Sequence, residues 1–272
     1  GRGGRPRSRG SRVASRTVAL GGGRFEVDLL EEGAGRPLLY LHGTFGRREG
    51  ELIGLLARSH RVLAPSHPGY GGTTGAEQLA DLHDLLYYYL DLLDELSLRD
   101  LALVGHGLGG MFAAELAAVQ PERLSRLVLI APLGLWNPAR PVLDFFAAEP
   151  ERLAAALYHD PSSPAAQATA AVPPDDAGYV EYTLERAKAM ATAAQYLWPI
   201  PNRGLSKRLH RVRPPTLLIW GASDGLCPPE YGHDFQAAIA GAELAIVPEA
   251  GHMLTLERPA EVARLIERFL GT

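Results

Sequence analysis

The sequence predicts an α/β fold: a mostly parallel, eight-stranded twisted sheet with helices on both faces and a helical cap inserted late in the chain. Three observations lead there. Short, continuous apolar runs recur along the chain, as strands buried on both faces require, and they alternate with helical patterns. Glycine and proline punctuate these segments regularly. From about residue 133 to 212, however, helical patterns appear without any strand, over a span too long for a simple connection.

Residues 17–20 and 24–30 flank Gly21-Gly22-Gly23 and read as a hairpin. Residues 37–41 form a short buried strand ending at His42-Gly43, and 61–64 form another closing at Pro65. Across 76–96, Leu79, Leu82, Leu86, Leu90, Leu93 and Leu96 recur at spacings of three and four, so one amphipathic helix is expected. A strand at 101–104 runs into a helix at 108–119. Strands at 127–130, 216–220 and 244–247 complete the sheet, and helices at 230–240 and 259–270 close the chain. Within the insertion, helical patterns at 142–146, 151–159 and 179–196 are separated by Pro161, Pro164, Pro173 and Pro174; the Ala-rich stretch 165–171 hints only at low complexity. The expected organisation is therefore a disordered basic extension at 1–16, a core from 17–133 and 207–272, and a helical cap at 134–206.

Composition narrows the class of function. Of 272 residues, 46% are hydrophobic and 21% charged, which excludes wholesale disorder and suffices for a core without staples. Cys227 is the single cysteine, so an intrachain disulfide and a zinc site built on cysteine pairs are both excluded. The net charge of −4 conceals an asymmetry: Arg2, Arg5, Arg7, Arg9, Arg12 and Arg16 place +6 at the start and leave −10 on the rest. That segment reads as an extension without a catalytic role, and no nucleic-acid partner is expected. The longest apolar stretch, 101–119, contains His106, Glu115 and four glycines and is a poor membrane span. With no continuous apolar core for a secretory signal, the expectation is a cytoplasmic protein without a membrane partner.

The chemistry concentrates where a strand meets a helix, in Gly105-His106-Gly107-Leu108-Gly109-Gly110. Glycine is needed there because a turn so sharp leaves no room for Cβ atoms against neighbouring backbone. A phosphate loop would require a following Lys-Ser/Thr, which is missing. The dinucleotide spacing Gly-x-Gly-x-x-Gly is nearly matched by 105, 107 and 110, but such a turn belongs on the first strand, with an acid ending the second. Here several strands precede the turn, and the strand at 127–130 ends in Ala131-Pro132-Leu133-Gly134.

The turn instead resembles the nucleophile elbow of the α/β-hydrolase family, Gly-x-Ser-x-Gly, with Gly107 at the serine position. Four further segments carry the likeness, which extends from residue 17 to the end. His42-Gly43-Thr44-Phe45-Gly46 resembles the oxyanion loop, and His67-Pro68-Gly69-Tyr70-Gly71-Gly72 resembles a structural turn of the family. Asp224 and His252 follow strands where the family keeps its acid and its base, in the family's order of elbow, acid and histidine. The resemblance implies a His252–Asp224 dyad, an oxyanion hole from the backbone N–H groups of Thr44 and Leu108, and no cofactor or metal. Taken alone, Asp224 also suits a turn cap and His252 a surface histidine. His42 and His106 read as loop-orienting residues, and His60, His83, His159, His210 and His233 as exposed or incidental. Cys227 reads as a small buried apolar group.

Gly107 has no Oγ, so no acyl-enzyme can form there; losing the nucleophile typically removes about 10⁶ in rate. A water in the vacated space would find His252 and two amides as partners. Three readings follow: a dyad enzyme without a covalent nucleophile, a binding member that has lost turnover, and an engineered Ser-to-Gly form of a serine esterase. The cap is rich in large apolar residues. It implies a small, mostly apolar ester, lactone or ketone-type substrate, with Phe45, Trp136, Phe146, Tyr196 and Trp198 as candidate contacts.

Overall fold

A computed structural model describes residues 14–200 and 203–271. The chain enters with β1 (Ala14–Leu20), turns through three glycines with positive φ, and returns antiparallel as β2 (Phe25–Gly33), Val18 facing Val27. There follow β3 (Arg36–Leu41), α1 (Gly50–Leu56), β4 (His60–Pro65), α2 (Leu82–Glu95), β5 (Leu101–His106), α3 (Gly107–Val119) and β6 (Leu124–Ile130). Then come α4 (Pro150–Leu157), α5 (Pro164–Ala170), α6 (Asp176–Leu197), β7 (Thr216–Gly221), α7 (Glu230–Ala238), β8 (Glu243–Val247), α8 (Leu254–Glu257) and α9 (Pro259–Leu270).

One eight-stranded sheet results, in the order β1-β2-β4-β3-β5-β6-β7-β8, antiparallel at its first two pairings and parallel from β4 onward. This is the architecture the apolar runs imply. β5 and β7 are buried at every residue, a pattern open only to strands covered on both faces. α3 is buried from Gly107 to Ala118, which explains why its sequence is apolar all round. The strand order reverses between β3 and β5, so the loops leaving those two strands diverge and open a crevice at their carboxyl ends. Among the described residues, no helix is long and apolar enough to cross a membrane.

Several expectations need correction. β1 begins at Ala14, three residues inside the segment read as an extension: Ser15 bonds Asp28 at 2.9 Å and Arg16 bonds Glu31 at 3.2 Å. The rest of that segment lies outside the described residues. The helix expected over 76–96 is two pieces, a 3₁₀ turn at Ala76–Gln78 and α2, because Asp81 caps the latter by accepting from the His83 and Asp84 amides at 2.8 and 3.1 Å. No helix forms at 142–146. Val142 and Phe145 are buried there, but Asp144 draws the Phe146 amide into a local turn at 3.1 Å, and so short a run cannot nucleate. α1, α5 and α8 are additional helices, each too short to display a period. His60, expected to be exposed or incidental, is buried at the start of β4; burial holds its imidazole below the usual range, and its ring meets Ser59 Oγ at 3.0 Å. His83, His159, His210 and His233 are exposed.

Between β6 and β7 the described residues form α4, α5 and α6 with 3₁₀ turns and no strand, as the broken rhythm predicts. The helices lie against the core over the strand ends, and α4 contacts the loops that follow β7 and β8.

Candidate active site

β5 delivers its chain into the elbow with Gly107 at φ +53°, a conformation that costs an L side chain roughly 1–2 kcal/mol. Gly109 is equally constrained: a Cβ there would collide with the carbonyl oxygens of Leu41 and His42. Its amide donates to the His42 carbonyl at 3.1 Å, which ties the elbow to the loop after β3. In that loop the Gly46 amide closes a turn onto the Gly43 carbonyl at 3.2 Å, with Thr44 at its second position. Thr44 is buried. Leu108, fully buried, lies in the first turn of α3, where amides have no intrahelical acceptor.

β7 and β8 supply the rest. Asp224 follows β7 and is buried; its Oδ1 accepts from the Leu226 and Cys227 amides at 3.0 and 2.8 Å. Its Oδ2 lies 2.8 Å from His252 Nδ1. Both Asp224 oxygens thus act as acceptors, so His252 donates from Nδ1 and its Nε2 turns outward. That Nε2 faces the elbow, 3.2 Å from the point a Cβ of residue 107 would occupy. His252, Asp224 and Gly107 are therefore brought together as the sequence expects. A histidine oriented by a carboxylate and aimed at the elbow can accept a proton from a group bound there.

The loop-orienting histidines use their rings as expected, with a detail the sequence did not announce. His42 Nε2 accepts from the His67 amide at 3.0 Å, and its Nδ1 donates to the Gly43 carbonyl at 2.8 Å. His67 donates from Nε2 to the His42 carbonyl at 2.8 Å and accepts from the Tyr89 hydroxyl at Nδ1. Burial pushes the His67 imidazole down to about 4 and holds that of His42 well below its usual range, so both rings are neutral near pH 7. Cys227 is buried, its thiol pushed up by burial, with Sγ 3.8 Å from the Pro132 carbonyl.

Three participants escaped sequence reasoning. Glu49, buried at 1% exposure, lies 3.1 Å from His106 Nδ1, and His106 Nε2 lies 3.0 Å from the His252 carbonyl oxygen. Glu257 accepts from the Gly251 amide at 2.7 Å and the His159 amide at 2.8 Å, so it joins the base loop to the end of α4. Leu157 reinforces this contact, its carbonyl accepting from the Met253 amide at 2.9 Å. No spacing marks these residues; single acids without a periodic or motif context look like surface charges in a sequence.

A cavity of about 720 Å³ lies between core and cap, bordered by Phe45, Tyr70, Leu157, Tyr158, Tyr182 and Met190. Its lining includes Phe45, next in sequence to Thr44, and Leu157, whose carbonyl bonds the Met253 amide; Gly107, Asp224 and His252 do not line it. Of the five expected substrate contacts, Phe45 lines it. Phe146 and Trp198 meet edge-to-face at 5.8 Å, and Phe146 stacks on Phe145 at 4.3 Å, continuing an aromatic row from Phe45. Trp136 is half-buried against the core, and Tyr196 borders a different cavity with Glu115 and Arg208. Asp81, His83 and Asp84 bring possible metal-binding atoms within 4.8 Å of one another, but Asp81 caps α2 and Asp84 accepts from the Ala80 amide.

A family model described as the alpha/beta hydrolase family matches residues 38–265. A 2-hydroxy-6-oxo-6-(2'-aminophenyl)hexa-2,4-dienoic acid hydrolase of Metapseudomonas resinovorans is 27% identical over 285 residues, covering 96% of this chain and 92% of that protein. A dihydrolipoyllysine-residue acetyltransferase component of an acetoin cleaving system from Pseudomonas putida is 29% identical over 87% of this chain; the chain spans 64% of that relative's length. The crystal structure of a serine hydrolase involved in carbazole degradation superposes with a TM-score of 0.74 at 24% identity, over 96% of this chain and 99% of that one, a likeness of fold.

Proposed function

The chain belongs to the α/β hydrolase family, a family of hydrolases, and from that premise we propose that it acts on a small, mostly apolar ester, lactone or ketone-type substrate with water in place of a covalent serine. The observation that carries this reading is the aim of His252: Nδ1 is held by Asp224 at 2.8 Å, and Nε2 looks into the space a serine side chain would fill. That space is near the size of one water, whose share of liquid volume is about 30 Å³.

The step follows from those positions. The substrate carbonyl oxygen lies between the Thr44 and Leu108 amides. A water beside Gly107 attacks the carbonyl carbon while His252 Nε2 takes one of its protons, and the two amides stabilise the charge that gathers on oxygen. Asp224 steadies the imidazolium. The carbon–oxygen bond of an ester or lactone, or the carbon–carbon bond of a ketone with a stabilised leaving carbanion, then breaks, and the imidazolium returns its proton to the leaving group. The ketone arm accords with the name of the Metapseudomonas relative, a 2-hydroxy-6-oxo-dienoic acid hydrolase.

Hydrolysis of a panel of aryl esters, lactones and 2-hydroxy-6-oxo-dienoates tests the reading. Turnover is expected to be slow, without an acyl-enzyme burst, and to drop at least 100-fold in His252→Ala. In Gly107→Ser, esterase activity and covalent labelling by a fluorophosphonate should appear. Turnover that survives removal of His252 sinks the dyad. Panel compounds that bind stoichiometrically without being consumed establish a binding protein instead.

A further inference from the structure

Beneath the reacting centre lies a second acid–histidine pair whose role the dyad does not explain. Glu49 and His106 are each 1% exposed at the side chain and 3.1 Å apart. Both ring nitrogens of His106 face acceptors, Glu49 Oε1 on one side and the backbone carbonyl of His252 on the other at 3.0 Å. His106 thus bridges the Glu49 carboxyl group to the backbone of the base loop. The same ring packs on the oxyanion loop, its Nδ1 3.0 Å from where a Cβ of Gly43 would stand, and lies 5.3 Å from the His252 ring. It therefore touches the oxyanion loop, the elbow to which it belongs and the base loop.

We propose that Glu49 and His106 are positioning residues that set the height and tilt of the His252 imidazole through its backbone carbonyl. This rests on the reading of His252 as the base. Glu49 is itself held in place, because its Oε2 accepts from the Arg48 amide at 2.9 Å. Tyr40 from β3 faces Glu49 as well: burial, with the Glu49 charge and a hydrogen bond to it behind, pushes the phenol well above its usual range. His42 and His67, beside the oxyanion loop, are neutral near pH 7.

The test uses Gly107→Ser as a reporter of how well His252 is aimed, read as the rate of fluorophosphonate labelling of the folded protein. Adding Glu49→Ala should slow labelling at least tenfold. Adding Glu49→Gln, whose amide keeps a hydrogen bond to His106, should recover most of the rate. A tenfold effect absent from folded Glu49→Ala, or no recovery in Glu49→Gln, overturns the proposal. Ring ¹⁵N signals of the Gly107 protein decide the same point without any reaction: the His252 signals should move in Glu49→Ala and much less in Glu49→Gln. His252 signals that stay put in folded Glu49→Ala overturn it. Failure of Gly107→Ser to label counts against the reading of the reacting centre, and the ¹⁵N measurement then judges the pair by itself.

Discussion

His67 shows what one residue can decide. Its ring is enclosed, donates to the His42 carbonyl and accepts from Tyr89, so a second ring proton has no place to go. Burial pushes it down to about 4 from an ordinary 6.5. Between those values the unfolded chain binds a proton that the folded chain refuses, so stability falls as pH drops from 6.5 toward 4. The difference corresponds to about 3 kcal/mol by pH 4. Urea unfolding at pH 7 and pH 4.5 is expected to reveal most of that loss, and His67→Gln should reduce it, leaving the share of His42 and His60, whose imidazoles burial also holds low; an unchanged slope in that variant would assign the acid sensitivity elsewhere. The window meets the ordinary carboxylate range only at its lower end. Gly107 works the other way: a backbone at φ +53° is free of cost for glycine, so the missing serine relieves the fold while removing the nucleophile.

At the scale of elements, the junctions matter more than the elements. Glu115 sits within α3 at 1% exposure, and Arg208, from the segment just before β7, reaches it with Nε at 2.6 Å. Removing one partner of such a pair leaves a charge in a dry interior. Arg208→Ala should cost about 3 kcal/mol, toward the lower end because Arg208 is itself partly exposed, whereas Glu115→Gln should cost less. Denaturant midpoints of the two variants check this, and equal losses would mean that packing, not charge, governs the contact. Glu257 plays a similar part between α4 and the base loop, since its two oxygens serve amides of both. Residue patterns made the long elements legible: β5, α3 and α9 stand where period and composition put them. They failed where a cap outranks periodicity, at Asp81 before α2, and where a run was too short to nucleate, at 142–146.

For the whole molecule, core and cap differ in how they are held. β5 and β7 are buried throughout, while the first half of α6 exposes Tyr179, Val180 and Leu184 at 54–55%. Amides of those strands should exchange only on global unfolding, and those of α5 and the start of α6 at least 100-fold faster through local opening. Uniform protection across both would mean that cap and core open as one unit. The sequence by itself determined the run of strands along the chain, the longer helices between them and the absent hydroxyl at residue 107, because these depend on local period and turn chemistry. Only the tertiary structure decided that Glu49 meets His106 across 57 residues, that His106 meets the His252 carbonyl across 146, and that Phe45 rather than Tyr196 borders the large cavity. Such meetings depend on crossovers and on how an inserted cap settles against the core, which no neighbouring residue in the chain can report.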